Sequence, residues 1–257
     1  MRVAVITGAS SGIGKCFAQY MDTAFHNIDE FWLVARSEDH LKDLASSLNH
    51  KTRIFPLDIT LDYNIEELEF ELIKKSATVS MLINCAGYGV MGPFASQNRE
   101  ELLGMIRLNC EALTNLTHRL IRYMKKGSRI IQMASSAAFV PQPDFAVYAA
   151  SKAYVDQFSQ ALREELYDQG IYVTSVCPGP VDTPFFDIAE KNGKTLRIKK
   201  LTMVEPDKVV KQALYDSYRK KSVSVPGKSI KLFQIFTKCV PHSVILRIMK
   251  KLKMVEK

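Results

Sequence analysis

A tyrosine and a lysine stand four residues apart in the segment FAVYAASKAY, which runs from residue 145 to residue 154. On a helix, positions i and i+4 lie on one face, so the side chains of Tyr148 and Lys152 would be neighbours. A phenol can exchange a proton with a substrate, and a nearby ammonium lowers its pKa by stabilising phenolate. Because a chain with 10 tyrosines can contain such a pair by chance, its chemistry depends on the elements that position it.

Short β-branched segments alternate with helical patterns along most of the chain. The strand-like segments are residues 2–7, 31–35, 53–57, 81–84, 129–134, 171–176 and 222–226. Apolar residues recur at helical spacing over residues 12–24, 38–48, 61–76, 99–125, 146–168 and 206–220. This βαβ alternation predicts an α/β fold, a doubly wound parallel sheet in a single domain. We expect residues 1–227 to form the body of the domain and residues 228–257 a C-terminal extension of it.

Ligands of such sheets bind beyond the carboxyl ends of the strands, and the first strand is followed there by TGASSGIG, residues 7–14. Glycines at positions 8, 12 and 14 allow a tight turn and a close approach to a pyrophosphate. The helix that follows would direct its N-terminal amides at the same group. We therefore predict a dinucleotide-binding loop, rather than a flexible surface turn, made of Gly8, Ser10, Ser11, Gly12, Ile13 and Gly14.

The end of the second strand bears on the choice between NAD and NADP. A free ribose 2′-hydroxyl is usually met by a carboxylate at this point, whereas a 2′-phosphate is met by a cation. The chain has Ala35 followed by Arg36 here, and a guanidinium is well suited to phosphate. We predict NADP(H) as the cofactor, the alternative being that Arg36 is a solvated residue at a helix start.

Three further strand ends and one helix contain candidate residues of the cofactor and catalytic site. Asp58 could accept a hydrogen bond from adenine, or Asp58 or Thr60 could cap the next helix. Asn109 lies in the middle of a helical pattern, where spacing alone favours an exposed position. Small or turn-forming residues that would let a cofactor lie close complete the predicted binding set, namely Ile59, Asn84, Ala86, Gly87, Pro178, Gly179, Val181 and Thr183.

Together these features resemble the short-chain dehydrogenase/reductase family in its form of about 250 residues. The likeness rests on TGASSGIG, Asp58, the NCAG segment, Asn109, the serine–Tyr148-x-x-x-Lys152 set and the Pro-Gly turn, and it covers residues 1–227. One departure is Cys85, where the family usually has a second asparagine. The family's separation of thirteen residues between serine and tyrosine selects Ser135 over the adjacent Ser136.

The resemblance implies a Rossmann-like fold and an NADP(H)-dependent oxidoreductase that interconverts a ketone and a secondary alcohol. It assigns the proton donor to Tyr148 and the stabilisation of the carbonyl oxygen to Ser135. Lys152 would bind the nicotinamide ribose and, with the positive nicotinamide of the oxidised cofactor, lower the pKa of the phenol. Asn109 would hold a water that connects the lysine to solvent. A catalytically silent NADP-binding regulator on the same fold is the alternative from another class.

The substrate is expected to be an apolar carbonyl or alcohol compound, with long-chain 3-oxoacyl, steroid-like and small xenobiotic ketones all open. Residues 184–204 and the C-terminal segment should shape its pocket, and the first of these contains Phe185, Phe186, Ile188, Leu196 and Ile198. The family also associates through the helices at 99–125 and 146–168, so a homodimer or homotetramer is expected. Apolar residues such as Leu103, Phe158 and Leu162 lie on these helices.

The composition of the chain bears on metal sites, disulfides, cellular location and membrane-spanning helices. Five scattered cysteines and five scattered histidines favour no metal site, no disulfide framework and a cytoplasmic location. The chain starts without a signal peptide's apolar core and has no run of 18 apolar residues, so no spanning helix is expected.

Most of the net charge of +8 comes from residues 228–257, which contain eight lysines and arginines and one acid. This distribution argues against nucleic-acid binding by the body of the domain. Within the tail, Ile245, Ile248, Met249 and Leu252 recur at helical spacing. The tail either contacts an anionic membrane or an acidic carrier, or packs on the domain with its lysines as the solvated face.

Overall fold

The computed structural model describes residues 1–191 and 203–255. Its centre is one sheet of parallel strands in the order β3-β2-β1-β4-β5-β6-β7. The strands are β1 (Arg2–Thr7), β2 (Glu30–Ala35), β3 (Thr52–Pro56), β4 (Thr78–Asn84), β5 (Arg129–Met133), β6 (Tyr172–Val176) and β7 (Val223–Ser224). The order reverses between β1 and β4, and this point is where a doubly wound sheet opens a crevice for a ligand.

Helices cover both faces of the sheet and join consecutive strands. They are α1 (Gly12–Ala24), α2 (Glu38–Ser46), α3 (Asp62–Lys74), α4 (Arg99–Ile106), α5 (Leu113–Ile121), α6 (Ala146–Tyr167), α7 (Phe185–Ala189), α8 (Pro206–Tyr218), α9 (Lys228–Cys239) and α10 (His242–Val255). A π-helical turn, Arg107–Ala112, joins α4 to α5. In the described part of the chain, no helix is both long and apolar enough to cross a membrane.

Alternation along the strands divides the core into two layers. On β1, Val3 and Val5 pack with α3 and α5, while Ala4 and Ile6 pack with α1, α2 and α8. All four side chains are fully buried, which explains why the strand is apolar at every position. Burial of a large side chain of this kind contributes about 1.5–3 kcal/mol. The core therefore fixes the strands, and the strands fix the positions of the residues that follow them.

The predicted elements and the observed ones agree closely, with three main differences. Strand β4 begins at Thr78, three residues before its predicted start. The last predicted strand, 222–226, is reduced to Val223–Ser224, because Pro226 lacks the amide that a longer ladder would need. The predicted helix 99–125 ends at Ile121 and contains the π-helical turn, which a periodicity of 3.6 residues does not reveal. The C-terminal segment forms α9 and α10, and Ile230 of the first and Ile245 of the second are buried.

Candidate active site

A cavity of about 950 Å³ opens at the carboxyl edge of the sheet. Its walls include Tyr148, Lys152, Ser135 and nearly the whole predicted cofactor set. The predicted cofactor residues on its surface are Gly8, Ser10, Ser11, Gly12, Ile13, Gly14, Arg36, Asp58, Ile59, Ala86, Gly87, Pro178, Gly179, Val181 and Thr183. Asn84 and Asn109 do not line it. The sequence motifs therefore converge on one space, which has a volume typical of ligand sites.

The loop after β1 has the geometry that a pyrophosphate requires. Gly8 and Gly12 have φ values of +66° and +52°, a region that side-chain-bearing residues rarely adopt. A Cβ on Gly8 would lie 2.9 Å from the amide nitrogen of Ala86, so no larger residue fits there. Helix α1 begins at Gly12, with its first amides at the cavity. These residues fit a dinucleotide, because a helix N-terminus attracts its phosphates.

Thr7 is a supporting residue that sequence reasoning did not single out. Its hydroxyl oxygen accepts hydrogen bonds from the amides of Cys85 and Ala86, each at 3.1 Å. These bonds join the end of β1 to the end of β4 and hold both walls of the crevice together. A threonine that ends a strand gives little sequence signal, since such residues are common in strands for other reasons.

Arg36 stands at the cavity's edge, directly after β2. Its side chain is exposed and lines the cavity, whereas Ala35 before it offers no carboxylate. Within residues 1–191 and 203–255 no ion pair engages Arg36, so its guanidinium is available to an anionic ligand. The Tyr88 hydroxyl is close enough for the charge of Arg36 to act on its pKa, although burial has the larger effect and raises that pKa.

Asp58 does not cap the helix that follows it. Its carboxylate accepts from the amide of Thr60 at 2.9 Å and from the Thr60 hydroxyl at 2.7 Å. Helix α3 starts later, at Asp62, with Leu61 in the capping position. The alternative in which Asp58 or Thr60 caps the helix is therefore wrong. The carboxylate is instead held in a tight local turn at the cavity wall.

Asn84 supports the end of β4 from within the protein. Its amide nitrogen donates to the hydroxyl of Thr117 at 3.1 Å and to the side-chain carbonyl of Gln132 at 2.9 Å. The side chain is buried and turned away from the cavity. We predicted Asn84 as a residue at the cofactor, but these hydrogen bonds direct it into the core. The three residues that follow it, Cys85, Ala86 and Gly87, line the cavity instead.

Asn109 is fully buried, so the exposed helix position that spacing favours is wrong. It lies in the π-helical turn, which re-aims side chains and often marks functional sites. Its amide group donates to the carbonyl of Tyr88 at 2.9 Å and to the hydroxyl of Ser151 at 3.0 Å. Its carbonyl oxygen accepts from the amide of Tyr88 at 3.1 Å. A Cβ placed on Gly87 would lie 2.9 Å from this oxygen and 3.4 Å from the Lys152 Nζ.

Tyr148 is the proton-bearing group at the centre of the cavity. The Ser135 hydroxyl donates to its phenol oxygen and accepts from the amide of Ala137 at 3.1 Å. The adjacent Ser136 instead donates its amide to the carbonyl of Pro178 at 2.8 Å. This geometry favours Ser135 over Ser136 as the serine that meets the phenol. Burial raises the pKa of Tyr148 to about 12, although the hydrogen bond from Ser135 opposes the rise.

Lys152 lies one helical turn beyond Tyr148, as its spacing predicts. Its ammonium donates to the carbonyl of Met133 at 2.7 Å and lies 5.8 Å from the centre of the Tyr148 ring. Burial dominates for both groups and lowers the pKa of Lys152 to about 8. Burial raises the pKa of the phenol because removing a phenolate from water is costly. The lowering expected from Lys152 together with the oxidised cofactor stays a prediction.

Aromatic side chains surround Tyr148 at the other end of the cavity. The ring of Phe145 stacks on Tyr148 with centroids 4.2 Å apart, and the ring of Phe185 lies 5.5 Å away. Phe185, Phe186 and Ile188 line the cavity as predicted. Leu196 and Ile198, also predicted for the pocket, lie outside the described residues. This end offers apolar surface with few polar groups besides the Ser135–Tyr148 pair.

The two C-terminal helices complete this apolar end. Ile230 and Phe233 of α9 and Ile245 and Met249 of α10 line the cavity. A Cβ on Gly179 would lie 2.5 Å from the side chain of Ile230, so the Pro-Gly turn after β6 is a docking point for α9. Part of the apolar stripe predicted for the tail therefore packs on the domain, with Ile245 buried.

Comparisons with known proteins agree with this geometry. The short chain dehydrogenase family matches residues 2–193. An uncharacterized oxidoreductase of Staphylococcus epidermidis is 34% identical over 185 residues, covering 71% of this chain and 79% of that protein. A very-long-chain 3-oxoacyl-CoA reductase of Phaeosphaeria nodorum is 33% identical over 183 residues. That match covers 67% of this chain and 53% of the relative, so the chain spans about half of that protein's length.

Among solved structures, a short-chain dehydrogenase from Sphingobium yanoikuyae in complex with NADPH has the same fold. The two chains superpose with a TM-score of 0.78 at 29% identity, covering 89% of this chain and 88% of the other. The resemblance read from the motifs is thus confirmed over most of the chain. The protein belongs to the short-chain dehydrogenase family, whose members are oxidoreductases that act on CH–OH or C=O groups of small molecules with a nicotinamide cofactor.

Proposed function

We propose that this protein is an NADP(H)-dependent oxidoreductase that interconverts an apolar ketone and its secondary alcohol. The observation that carries the proposal is the arrangement along one cavity. An exposed guanidinium, Arg36, stands at one end, the hydrogen-bonded pair Ser135 and Tyr148 stands in the middle, and aromatic walls close the other end. A dinucleotide lying between Arg36 and Lys152 would present its reactive ring beside Tyr148.

The preference for NADP(H) rests on the end of β2. Arg36 can pair with a 2′-phosphate through two parallel hydrogen bonds, and Ala35 leaves a 2′-hydroxyl without a carboxylate. The glycine loop and the first turn of α1 would hold the pyrophosphate, and Lys152 the nicotinamide ribose. The relative from Sphingobium yanoikuyae, described in complex with NADPH, supports this preference.

When bound, the cofactor supplies the hydride for carbonyl reduction. The Ser135 hydroxyl would hold the carbonyl oxygen as negative charge develops on it. Tyr148 would donate its proton to that oxygen, and its raised pKa keeps the phenol protonated at neutral pH. Asn109, which is near Lys152 across Gly87, would help to return a proton to the site. Ser135, Tyr148 and Lys152 line the cavity, and Asn109 would act from the buried layer behind it.

The substrate class follows from the walls of the cavity. Phe145, Phe185 and Phe233 come from three separate segments and leave little hydrogen-bonding capacity for a polar substrate. A ketone carried on a long or bulky apolar group matches this surface. The name of the Phaeosphaeria nodorum relative, a very-long-chain 3-oxoacyl-CoA reductase, is consistent with a long acyl substrate for this chain as well.

We further propose a cytoplasmic homodimer or homotetramer. The five cysteines are unpaired, which suits a reducing compartment. Association would use α4, α5 and α6, the helices that the family uses. Leu103, Phe158 and Leu162 on these helices are half-buried in the single chain, and Ile106 and Tyr154 are exposed beside them. Sedimentation at micromolar concentration tests this, and a monomer there would contradict it.

A panel of ketones and alcohols tests the proposed activity. Each compound is incubated with the enzyme and either NADPH or NADH, and cofactor absorbance is followed. We expect turnover with apolar ketones, a rate that rises with the length of the apolar group, and a clear preference for NADPH. Binding of NADPH without turnover of any compound would favour the silent regulator, and equal use of NADH would contradict the cofactor assignment.

A further inference from the structure

Helix α9 carries an apolar stripe that faces solvent. Leu232, Ile235 and Phe236 are 69%, 59% and 41% exposed, and Cys239 is also exposed. These positions follow the i, i+3, i+4, i+7 pattern, so they form one continuous line along the helix. Such a line normally packs against the protein's own core. Here the stripe is exposed to solvent, and an exposed apolar surface of this kind indicates an interaction site.

The same helix is already anchored through its other side. Ile230 and Thr237 are buried, and Phe233 lines the cavity. A helix that only packed on the domain would have one apolar face and a polar opposite face. Helix α9 has two apolar faces, and only one of them contacts the domain. Packing on the domain therefore does not account for the exposed stripe.

Positive charge borders this stripe. Lys231 and Lys238 are exposed and lie on the same side of the stripe as Ile235. At 100° per residue, they are about 40° and 60° from Ile235 around the helix axis. The next helix, α10, continues the pattern. Val244 and Ile248 are 41% and 45% exposed, and Arg247 and Lys251 are exposed next to them. The only acid from residue 228 to the end of the chain is Glu256.

We propose that the outer face of α9 and α10 is a docking surface for an anionic membrane. We call it the tail face and define it by Leu232, Ile235, Phe236, Val244 and Ile248 with their flanking cations. Apolar side chains of this kind enter the boundary between headgroups and acyl chains, and the lysines and arginine meet anionic lipid. The inner face of the same helices lines the cavity, so one helix pair would join the membrane to the substrate end.

Charge argues against a second copy of this chain as the occupant. In a two-fold interface the same patch meets itself. Two tail faces would then bring Lys231, Lys238, Arg247 and Lys251 of each copy towards their equivalents, with no acid beside them in the described part of either tail. An anionic lipid surface satisfies the same charges and covers the same apolar groups.

Another exposed apolar patch serves as an internal control. On α3, Phe70 and Ile73 are 61% and 58% exposed, nearly matching Leu232 and Ile235. The same helix carries Glu66, Glu67 and Glu69, and the one lysine within it is Lys74. An anionic membrane should attract this patch less than the tail face. A comparison of the two patches therefore separates the contribution of exposed apolar area to membrane binding from the contribution of the charges around it.

The test is co-sedimentation of the full chain with vesicles of phosphatidylcholine, with and without phosphatidylglycerol. We expect binding only where phosphatidylglycerol is present, and loss of binding at high salt. Leu232→Ser/Ile235→Ser and Lys231→Glu/Lys238→Glu should each weaken binding by about tenfold or more. The matched control Phe70→Ser/Ile73→Ser should bind as the unaltered protein does. Circular dichroism and NADPH binding confirm that every variant is folded.

Several results would overturn the proposal. They are no binding at low salt by the folded protein, equal binding to vesicles without phosphatidylglycerol, or an equal loss in the α3 control. If Leu232→Ser/Ile235→Ser instead converts an oligomer to a monomer in sedimentation, the tail face is an interface between copies. Vesicle binding requires no turnover, so a protein that fails to bind vesicles can still be the proposed oxidoreductase. A protein that turns over no ketone can likewise still bind the membrane.

Discussion

The two ends of the cavity are built in different ways. At the end proposed for the nucleotide, most of the predicted binding residues directly follow a strand, such as Gly8 after β1 and Arg36 after β2. At the substrate end, the walls are side chains from segments far apart in sequence, such as Phe145, Phe185 and Phe233. The first end is fixed by the backbone of the sheet, whereas the second depends on how α7, α9 and α10 pack over it. Binding of cofactor and choice of substrate should therefore be separable by mutation.

The largest difference between the effect on turnover and the effect on cofactor affinity is expected for a change at Tyr148. Tyr148→Phe removes the proton donor and keeps the ring that packs on Phe145, so kcat should fall by about 10³-fold or more. Affinity for NADPH, measured by fluorescence titration, should stay within about twofold, since the nucleotide end is untouched. Tyr154→Phe on the same helix, at an exposed position, is the control and should alter neither. A Tyr148→Phe enzyme with normal kcat would remove this residue from the chemistry.

Substitution of the two adjacent serines tests which of them acts with Tyr148. Ser135→Ala deletes the hydroxyl that meets the phenol, and kcat/KM should fall by about 10²-fold. Ser136→Ala keeps the backbone bond to Pro178, and its effect should be several times smaller. Steady-state kinetics of both variants decides the matter. A larger loss for Ser136→Ala would reverse the alignment of this segment.

Arg36 tests the nucleotide end alone. Arg36→Ala should weaken NADPH binding by about 10- to 100-fold, because a charge-assisted pair with the 2′-phosphate is lost. Binding of NADH should hardly change, since it lacks that phosphate. Arg2→Ala, at the opposite edge of the sheet, removes the same charge as a control. An equal loss for both cofactors would mean that Arg36 acts on the general stability of the site.

The pH dependence of ketone reduction tests the burial of Lys152. Its pKa is lowered to about 8, so the ammonium is present below that pH and lost as the pH rises through it. The pKa of Tyr148 is about 12, so loss of the phenol's own proton cannot cause an earlier fall. We expect kcat/KM to drop by about tenfold per pH unit above pH 8. A profile that stays flat to the ordinary range for lysine would contradict this account.

The smallest effect is expected at the substrate end. Phe233→Ala should raise KM for long apolar ketones by about 5- to 10-fold, from lost apolar contact, and leave NADPH affinity unchanged. Phe236→Ala is the matched control on the same helix, because its ring points outward and does not line the cavity. Equal effects of the two variants on KM would show that α9 contributes through its stability and not through its inner face.

The same contrast explains what could be predicted from the sequence. The strands, the glycine loop and the position of Arg36 follow from local patterns, because each residue lies next to the element that positions it. The direction of the Asn84 side chain could not be predicted, since it is set by Thr117 and Gln132 from two other elements. Burial of Asn109 was also missed, because it depends on a π-helical turn.

At the substrate end, sequence reasoning identified the apolar character of α7 and the involvement of the C-terminal segment. It could not assign single residues, because Phe233, Ile245 and Met249 reach the cavity only through the packing of α9 and α10 over its end. Nor could it choose between a packed tail and an exposed one. Helix α9 has both an inner and an outer apolar face, so the two alternatives are not exclusive.

Transfer of a labelled hydride tests the central claim most directly. The enzyme is mixed with an apolar ketone and NADPH that carries deuterium at the transferable position, and the alcohol is analysed by mass spectrometry. The account predicts a secondary alcohol with one deuterium on its carbinol carbon, formed by the unaltered enzyme and not by Tyr148→Phe. An unlabelled alcohol, or no alcohol from any apolar ketone while NADPH is bound, would contradict it.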